Sequence, residues 1–341
     1  MRFQKFSTSI ILAMLTIVGS SGFVFAKSHS GTITMTIDVS GHGTKDEAEV
    51  WIPYPVSDQE QNITEVKISG DYAASALYTD SANSTPMLYA RWPKGAESRK
   101  LVFSFKADRK ELLRRDFPLK ETPWDPADYA VYLAPTKYAP LDGDVRLQAA
   151  KITAGKKTVL EKARAIYDWT CENTFRDPKT RGCGTGDVCA LLKNPGGKCA
   201  DIHSVFVALA RAAGVPAREV FGIRMGKKER EDISTWQHCW AEFFLPGYGW
   251  VPVDPADVRK AMLTENLKLE DARTAELRAY FWGGIDPYRV KLSMGRDLTL
   301  NPPQQGGTVN YLMYPFSQVG GKTIDWLDPT TFKYSIIYTS K

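Results

Sequence analysis

Long apolar runs are scarce in this 341-residue sequence. The first, residues 10–18, covers nine positions, against about 20 needed to cross a bilayer, and no later stretch approaches that length, so no membrane span is expected. Charge of one sign is lacking too. The 44 Lys and Arg face 39 Asp and Glu, and the basic residues are spread along the chain beyond short pairs such as Lys227-Lys228. A mixed solvated surface follows, with no nucleic-acid partner. Low-complexity segments and repeats of solenoid or propeller period are absent. Cysteine is sparse, with five residues, clustered at positions 171, 183, 189, 199 and 239. What is plentiful is core material. Hydrophobic residues make up 43%, with 15 Phe, 15 Tyr and 9 Trp, which excludes wholesale disorder. The length allows about two to three domains.

The start of the chain reads as an address. Arg2 and Lys5 precede the apolar run, and Val24-Phe25-Ala26 places small residues at the two cleavage-determining positions. Cleavage after Ala26 is expected, giving a periplasmic or secreted protein. The residue directly after that point is Lys27, not Cys, which argues against a lipoprotein anchor. Loss of the two leader charges takes the net +5 to +3. In an oxidising compartment five cysteines leave at least one thiol unpaired.

Hydropathy patterning divides the chain into a signal peptide (1–26), a β-sandwich-like domain (27–115), a connector (116–150), a mixed helix-and-strand core (151–260) and a C-terminal extension of uncertain fold (261–341). Thr32, Thr34 and Thr36 interleave with Ile33, Met35 and Ile37, an alternation of half-buried strands. His29 falls in a start expected to be disordered, so the sandwich holds only His42 and no Cys. Five prolines in 111–145 suggest a connector rather than a helix. Val159, Leu160, Ala163, Ile166 and Tyr167 then mark one face of a helix, and Cys199, Ile202, Phe206, Leu209 and Ala213 mark a second, stopped by Gly214 and Pro216. Strands are expected at 217–225, 238–245 and 250–254. In the tail, 334–338 also reads as a strand.

Cys199 opens its helix one residue after two glycines. Unpaired amides and the positive end of the helix dipole favour a thiolate there and could also hold an oxyanion. The bland alternative is a small core-facing cysteine. Two histidines could serve as base. His203 lies one turn after Cys199 but has no evident carboxylate in a fixed place. His238 starts a strand whose partner ends at Asp254, a carboxylate able to orient an imidazole. The step count is imperfect: a tight loop leaves the pair three residues out of register, a loop from Phe244 leaves one, and Pro252 permits a bulge.

Gly197-Lys198-Cys199, Ala210-Arg211-Ala212-Ala213-Gly214-Val215-Pro216-Ala217-Arg218, His238-Cys239-Trp240-Ala241-Glu242 and Gly249-Trp250-Val251-Pro252-Val253-Asp254-Pro255 together resemble the transglutaminase-like superfamily, in order and spacing. The resemblance covers about residues 155–258. It implies an α+β protein: a papain-like core with its nucleophile on a helix packed against an antiparallel sheet. It also implies Cys199 as nucleophile, His238 as base and acid and Asp254 as orienter, without cofactor or metal. The substrate would be a protein or peptide amide, cell-wall peptide among the candidates, with transamidation or hydrolysis through a thioester. An exported transglutaminase-like acyltransferase or cysteine peptidase is the leading expectation. No EF-hand-type loop is found. The family's aromatic oxyanion donor has Tyr167 and Trp169 in the right region.

Two other classes stay open. A non-catalytic binding module could keep this fold. A zinc site could use Cys183, Cys189, Cys199 and His203, although the spacing is not a standard zinc pattern. Cys183, between Gly182 and Gly184, either pairs with Cys189 or lines the site, and the disulfide is the expectation. Trp236, Trp240 and Trp250 read as a water-excluding wall or as plain packing.

Overall fold

A computed structural model describes residues 27–340; the leader lies outside the described residues. Six strands come first: β1 (Ser28–Asp38), β2 (Ala48–Pro53), β3 (Gln61–Gly70), β4 (Ala74–Thr79), β5 (Pro86–Trp92) and β6 (Lys100–Lys110), followed by the short β7 (Leu112–Leu113). Their alternation does what the sequence predicts. Ile33, Met35 and Ile37 of β1 and Leu101, Phe103 and Phe105 of β6 point into one core, while the intervening residues face outward. His29 is not in a disordered start: it lies in β1, where its Nε2 is 2.8 Å from the carbonyl of Gly226 and 2.9 Å from the hydroxyl of Tyr338.

The middle of the chain folds as α1 (Gly143–Ile152), α2 (Val159–Asn173), β8 (Phe175–Arg176), α3 (Val188–Lys193), β9 (Gly196–Gly197), α4 (Cys199–Ala212), β10 (Ala217–Arg224), β11 (Arg230–Asp232), β12 (Gln237–Leu245), β13 (Gly249–Val253), α5 (Pro255–Thr264), α6 (Ala272–Phe281), β14 (Gly284–Ile285) and β15 (Arg289–Met294). Thr158 closes a capping box with Glu161 at the start of α2. The helix α1 begins inside the proline-rich stretch, after its last proline. β10, β12, β13 and β15 form a four-stranded antiparallel sheet in the order β13-β12-β10-β15, and α4 packs across β12 and β10 with α1, α2, α3 and α5 around it. The expected α+β architecture, a helix carrying Cys199 on an antiparallel sheet with a sandwich before it, is the one observed.

The last strands are β16 (Phe316–Val319), β17 (Lys322–Thr323) and β18 (Lys333–Thr339). They return to the sandwich. One of its sheets runs β11-β18-β1-β6-β3 and the other β17-β16-β2-β5-β4, and a shared core joins Ile33, Val50, Leu88, Phe103 and Ile336 across them.

α4 is buried from Cys199 through Ala210 on every face. Ile202, Val205, Phe206 and Leu209 are each at most 1% exposed, and each such side chain contributes roughly 1.5–3 kcal/mol by leaving water. Its polar residues are satisfied internally, as buried polar groups must be. Asp201 accepts from the amides of Gly186 and Lys198 at 2.8 and 3.0 Å. Ser204 donates to Glu219 at 2.7 Å, and Glu219 also accepts from Arg296 at 2.8 Å.

Candidate active site

Cys199 is the first residue of α4, and β9 delivers it. The two glycines of β9 pair with Phe175 and Arg176 of β8. A Cβ at Gly197 would stand 2.5 Å from that of Asp201, so only glycine lets the chain turn this closely into the helix. The amide of Ala200 donates to the carbonyl of Cys183 at 2.9 Å, so one of the amides expected for an oxyanion is already engaged. Cys199 is 2% exposed and faces a cavity of about 620 Å³.

His238 reaches the same cavity from the start of β12. The β12–β13 register is regular, with Ala241 opposite Val253 and Glu242 opposite Pro252. No bulge forms at Pro252: β13 is an edge strand, and the Pro252 carbonyl points away from β12 to accept from the amide of Gly283 at 2.8 Å. In that register Asp254 stands two positions beyond His238, roughly 7 Å along the strand. The gap closes because Asp254 leaves the strand to cap α5, with φ −137° and ψ 74°. Its Oδ2 lies 2.8 Å from His238 Nε2. The Asp254-Pro255-Ala256-Asp257 segment carries the helix-start pattern of a capping Asp before Pro.

Asp254 is fully buried and serves more than one imidazole. Its Oδ1 accepts from the amide of Asp257 at 2.7 Å and lies 3.1 Å from His203 Nε2. His203 therefore does have a fixed carboxylate. Its other nitrogen, Nδ1, is 3.4 Å from Cys239 Sγ, which leaves His203 enclosed beneath the site and His238 at the cavity.

Arg289, on β15, was not anticipated. Its Nη1 donates to Asp254 Oδ2 and lies 3.2 Å from His238 Nε2. Its Nη2 donates to Asp257 at 2.7 Å and its Nε to Asp286 at 2.9 Å. Arg224 holds both oxygens of Asp257 at 2.6 Å. Only the pairing of β15 with β10, which sets Arg289 opposite Arg224, brings these groups together; no local spacing signals it.

The charges follow from this arrangement. Burial works against ionising Asp254, yet the Arg289 guanidinium, with His238 and His203, holds its carboxyl well below the usual range. Burial and Arg224 oppose an imidazolium at His238, but the carboxylates of Asp257 and Asp254 outweigh them and its pKa is raised. The neighbouring thiols of Cys183 and Cys239, and then the His238 imidazole and its charge, favour a thiolate at Cys199, whose pKa falls well below the ordinary value despite burial. The proximity of Cys199, with burial, pushes Cys183 up. Burial, with the same partner, raises Cys239.

Four expectations need correction. All five cysteines are free thiols. Cys183 and Cys189 form no disulfide, because Gly182 and Gly184, at φ +57° and +95°, turn Cys183 inward. There it donates to the carbonyl of Gln237 at 3.5 Å and accepts from the Tyr314 hydroxyl at 3.2 Å, while Cys189 is exposed on α3. The zinc set of Cys183, Cys189, Cys199 and His203 does not converge for the same reason. Among the described residues, His238, Asp254 and Asp257 form a group with the spacing of a metal site, but Arg289 and Arg224 already occupy its carboxylates. Neither Tyr167 nor Trp169 lines the cavity; the Tyr167 hydroxyl donates to the carbonyl of Arg278 at 2.9 Å. Of the three tryptophans, Trp236 alone lines it. Trp240 donates to Glu242 at 3.3 Å, and Trp250 lies against Arg218, 3.9 Å from guanidinium to ring centroid. The tail supplies what they do not: Tyr314, Trp326, Phe332 and Tyr334.

Comparison with known proteins agrees with this geometry. The family model described as the transglutaminase-like superfamily matches residues 147–255. An uncharacterised protein of Haemophilus influenzae is 35% identical over 340 residues, covering 92% of both chains. A protein-glutamine gamma-glutamyltransferase of Pseudomonas aeruginosa is 33% identical over 87 residues, which is 24% of this chain and 13% of that one. A crystal structure of a candidate cysteine protease from Cytophaga hutchinsonii superposes with a TM-score of 0.55 at 16% identity, over 92% of this chain and 99% of that one.

Proposed function

Since the chain belongs to the transglutaminase-like superfamily, we propose that it is an exported cysteine-dependent acyl-transfer enzyme acting on amide groups of proteins or peptides. Cys199 is the nucleophile, His238 the base and acid, and Asp254 the residue that orients His238. The observation that carries this reading is the placement of Cys199 and His238 on one cavity, with a buried Asp254 2.8 Å behind the imidazole. A depressed thiol beside a raised imidazole favours the thiolate–imidazolium pair that such chemistry starts from.

The Cys199 thiolate adds to the amide carbonyl carbon. The C–N bond breaks as the leaving nitrogen takes the proton from His238, and a thioester remains. Water or a primary amine then gives up a proton to His238 and attacks the thioester, the S–C bond breaks, and the thiolate returns. Water gives hydrolysis and an amine gives transamidation.

The test is turnover of glutamine-containing peptides with and without a primary amine. Cleavage or amine incorporation is expected, reduced at least about 10³-fold in Cys199→Ala. Retained turnover in that variant overturns the mechanism. Protein isolated from the extracytoplasmic fraction should begin at Lys27; an uncleaved Met1 would overturn the export proposal.

A further inference from the structure

Five cationic side chains line the cavity: Arg176, Arg181, Lys198, Arg224 and Lys260. No Asp or Glu lines it among the described residues. Two of the cations are already neutralised. Arg181 pairs with Asp325 at 2.6 Å, and Arg224 holds Asp257. Arg176, Lys198 and Lys260 form no ion pair among the described residues. They share one wall. Arg176 sits opposite Gly197 in the β8–β9 pair, Lys198 is the next residue before the nucleophile, and α5, which carries Lys260, packs against β8. The tail furnishes the facing wall with Trp326, Phe332 and Tyr334, beside Trp236. Partial burial and the neighbouring Arg224, with Arg176 adding, hold the Lys260 ammonium below its ordinary range, a repulsion that a bound anion relieves.

The geometry points to a carboxylate-bearing peptide as the substrate class: carboxylates flanking the attacked residue meet Arg176, Lys198 and Lys260 while apolar flanks lie on Trp236, Trp326, Phe332 and Tyr334. This rests on Cys199 being the nucleophile. Uncompensated charge in a walled cleft concentrates ligands of opposite sign and fixes their orientation.

Two alkylating agents of similar size read the charge directly. Iodoacetate is anionic and iodoacetamide neutral, and both form an S–C bond to the Cys199 thiolate with loss of iodide. Replacing the three cations together (Arg176→Gln, Lys198→Gln, Lys260→Gln) should lower the iodoacetate-to-iodoacetamide rate ratio about five- to tenfold at low ionic strength. About 1 M salt should remove the difference. The charge-keeping set Arg176→Lys, Lys198→Arg, Lys260→Arg should retain the wild-type ratio, which separates charge from damage to the fold. An unchanged ratio in the Gln variant overturns the inference. Binding to Cys199→Ala protein, measured by calorimetry, reads the site without the thiol. A capped tripeptide with glutamate on both sides of a glutamine should bind at least about tenfold more tightly than its all-glutamine counterpart. Equal binding would overturn the inference. A Cys199 that iodoacetamide leaves unlabelled would instead overturn the catalytic reading, with the calorimetric comparison still deciding this one.

Discussion

Four donors converge on the two oxygens of Asp254: His203, His238, Arg289 and the amide of Asp257. The carboxylate therefore stays ionised and fixed, and it bears on the sulfur through the imidazole of His238. The pKa directions define a pH window. Cys199 is lowered and His238 raised, so the thiolate–imidazolium pair exists above the thiol's depressed pKa and persists until the imidazolium loses its proton. Iodoacetamide labelling of Cys199 should consequently remain fast at mildly acidic pH, well below the roughly 8.5 of a free cysteine. His238→Ala should move the profile to higher pH. His203→Ala should reduce stability, because it removes a buried hydrogen-bonded group, yet leave the labelling profile in place. A profile that follows His203 rather than His238, in folded protein, would reverse the assignment of the base. Cys199, His238 and Asp254 were legible as candidates because motif and strand position coincide. Arg289 and Tyr314 were not, since each reaches the site by chain reversal rather than by spacing.

At the scale of elements, α4 depends on the loop before it. Gly184 has φ +95°, and a Cβ there would lie 1.9 Å from a carboxylate oxygen of Asp201. Asp201 in turn binds the amides of Gly186 and Lys198, which tie that loop to the helix start. Gly184→Ala combines backbone strain with loss of these bonds, and about 2–4 kcal/mol of destabilisation is expected. A shift of the urea midpoint together with slower Cys199 labelling would bear this out; an unchanged midpoint would count against it. α2, α4 and the β12–β13 hairpin were readable because each carries a clean period and its own stop signals. α1 was hidden by the prolines before it, which mark where a helix cannot run but not where one resumes. The capping role of Asp254 was masked by its position at a strand end, although Pro255 directly follows it.

Across the whole molecule, the sandwich is closed by segments from opposite ends of the chain. β18 pairs with β1 from Asp38↔Lys333 to Thr32↔Thr339, and β16 pairs with β2. Periodicity identified strands at both ends but carries no information on which distant strand completes which sheet, so the tail was legible as strand and illegible as partner. Removing residues 332–341 takes away Phe332, Ile336 and Tyr338, each at most 1% exposed. Several kcal/mol of stability should go with them, at roughly 1.5–3 kcal/mol for each buried large side chain. Denaturant unfolding of the truncated chain measures this, and a midpoint equal to that of the full chain would contradict it.

The same closure sets a clock. Phe332 and Tyr334 belong to both the cavity wall and the tail that β1 captures, so a chain still being synthesised has the residues of α4 long before it has a finished cleft. The sulfur gains its complete surroundings only when the last stretch emerges and finds a strand laid down some 300 positions earlier, a pairing of the slow, long-separation kind. Until then Cys199 lacks the side of its cavity that Phe332 and Tyr334 supply.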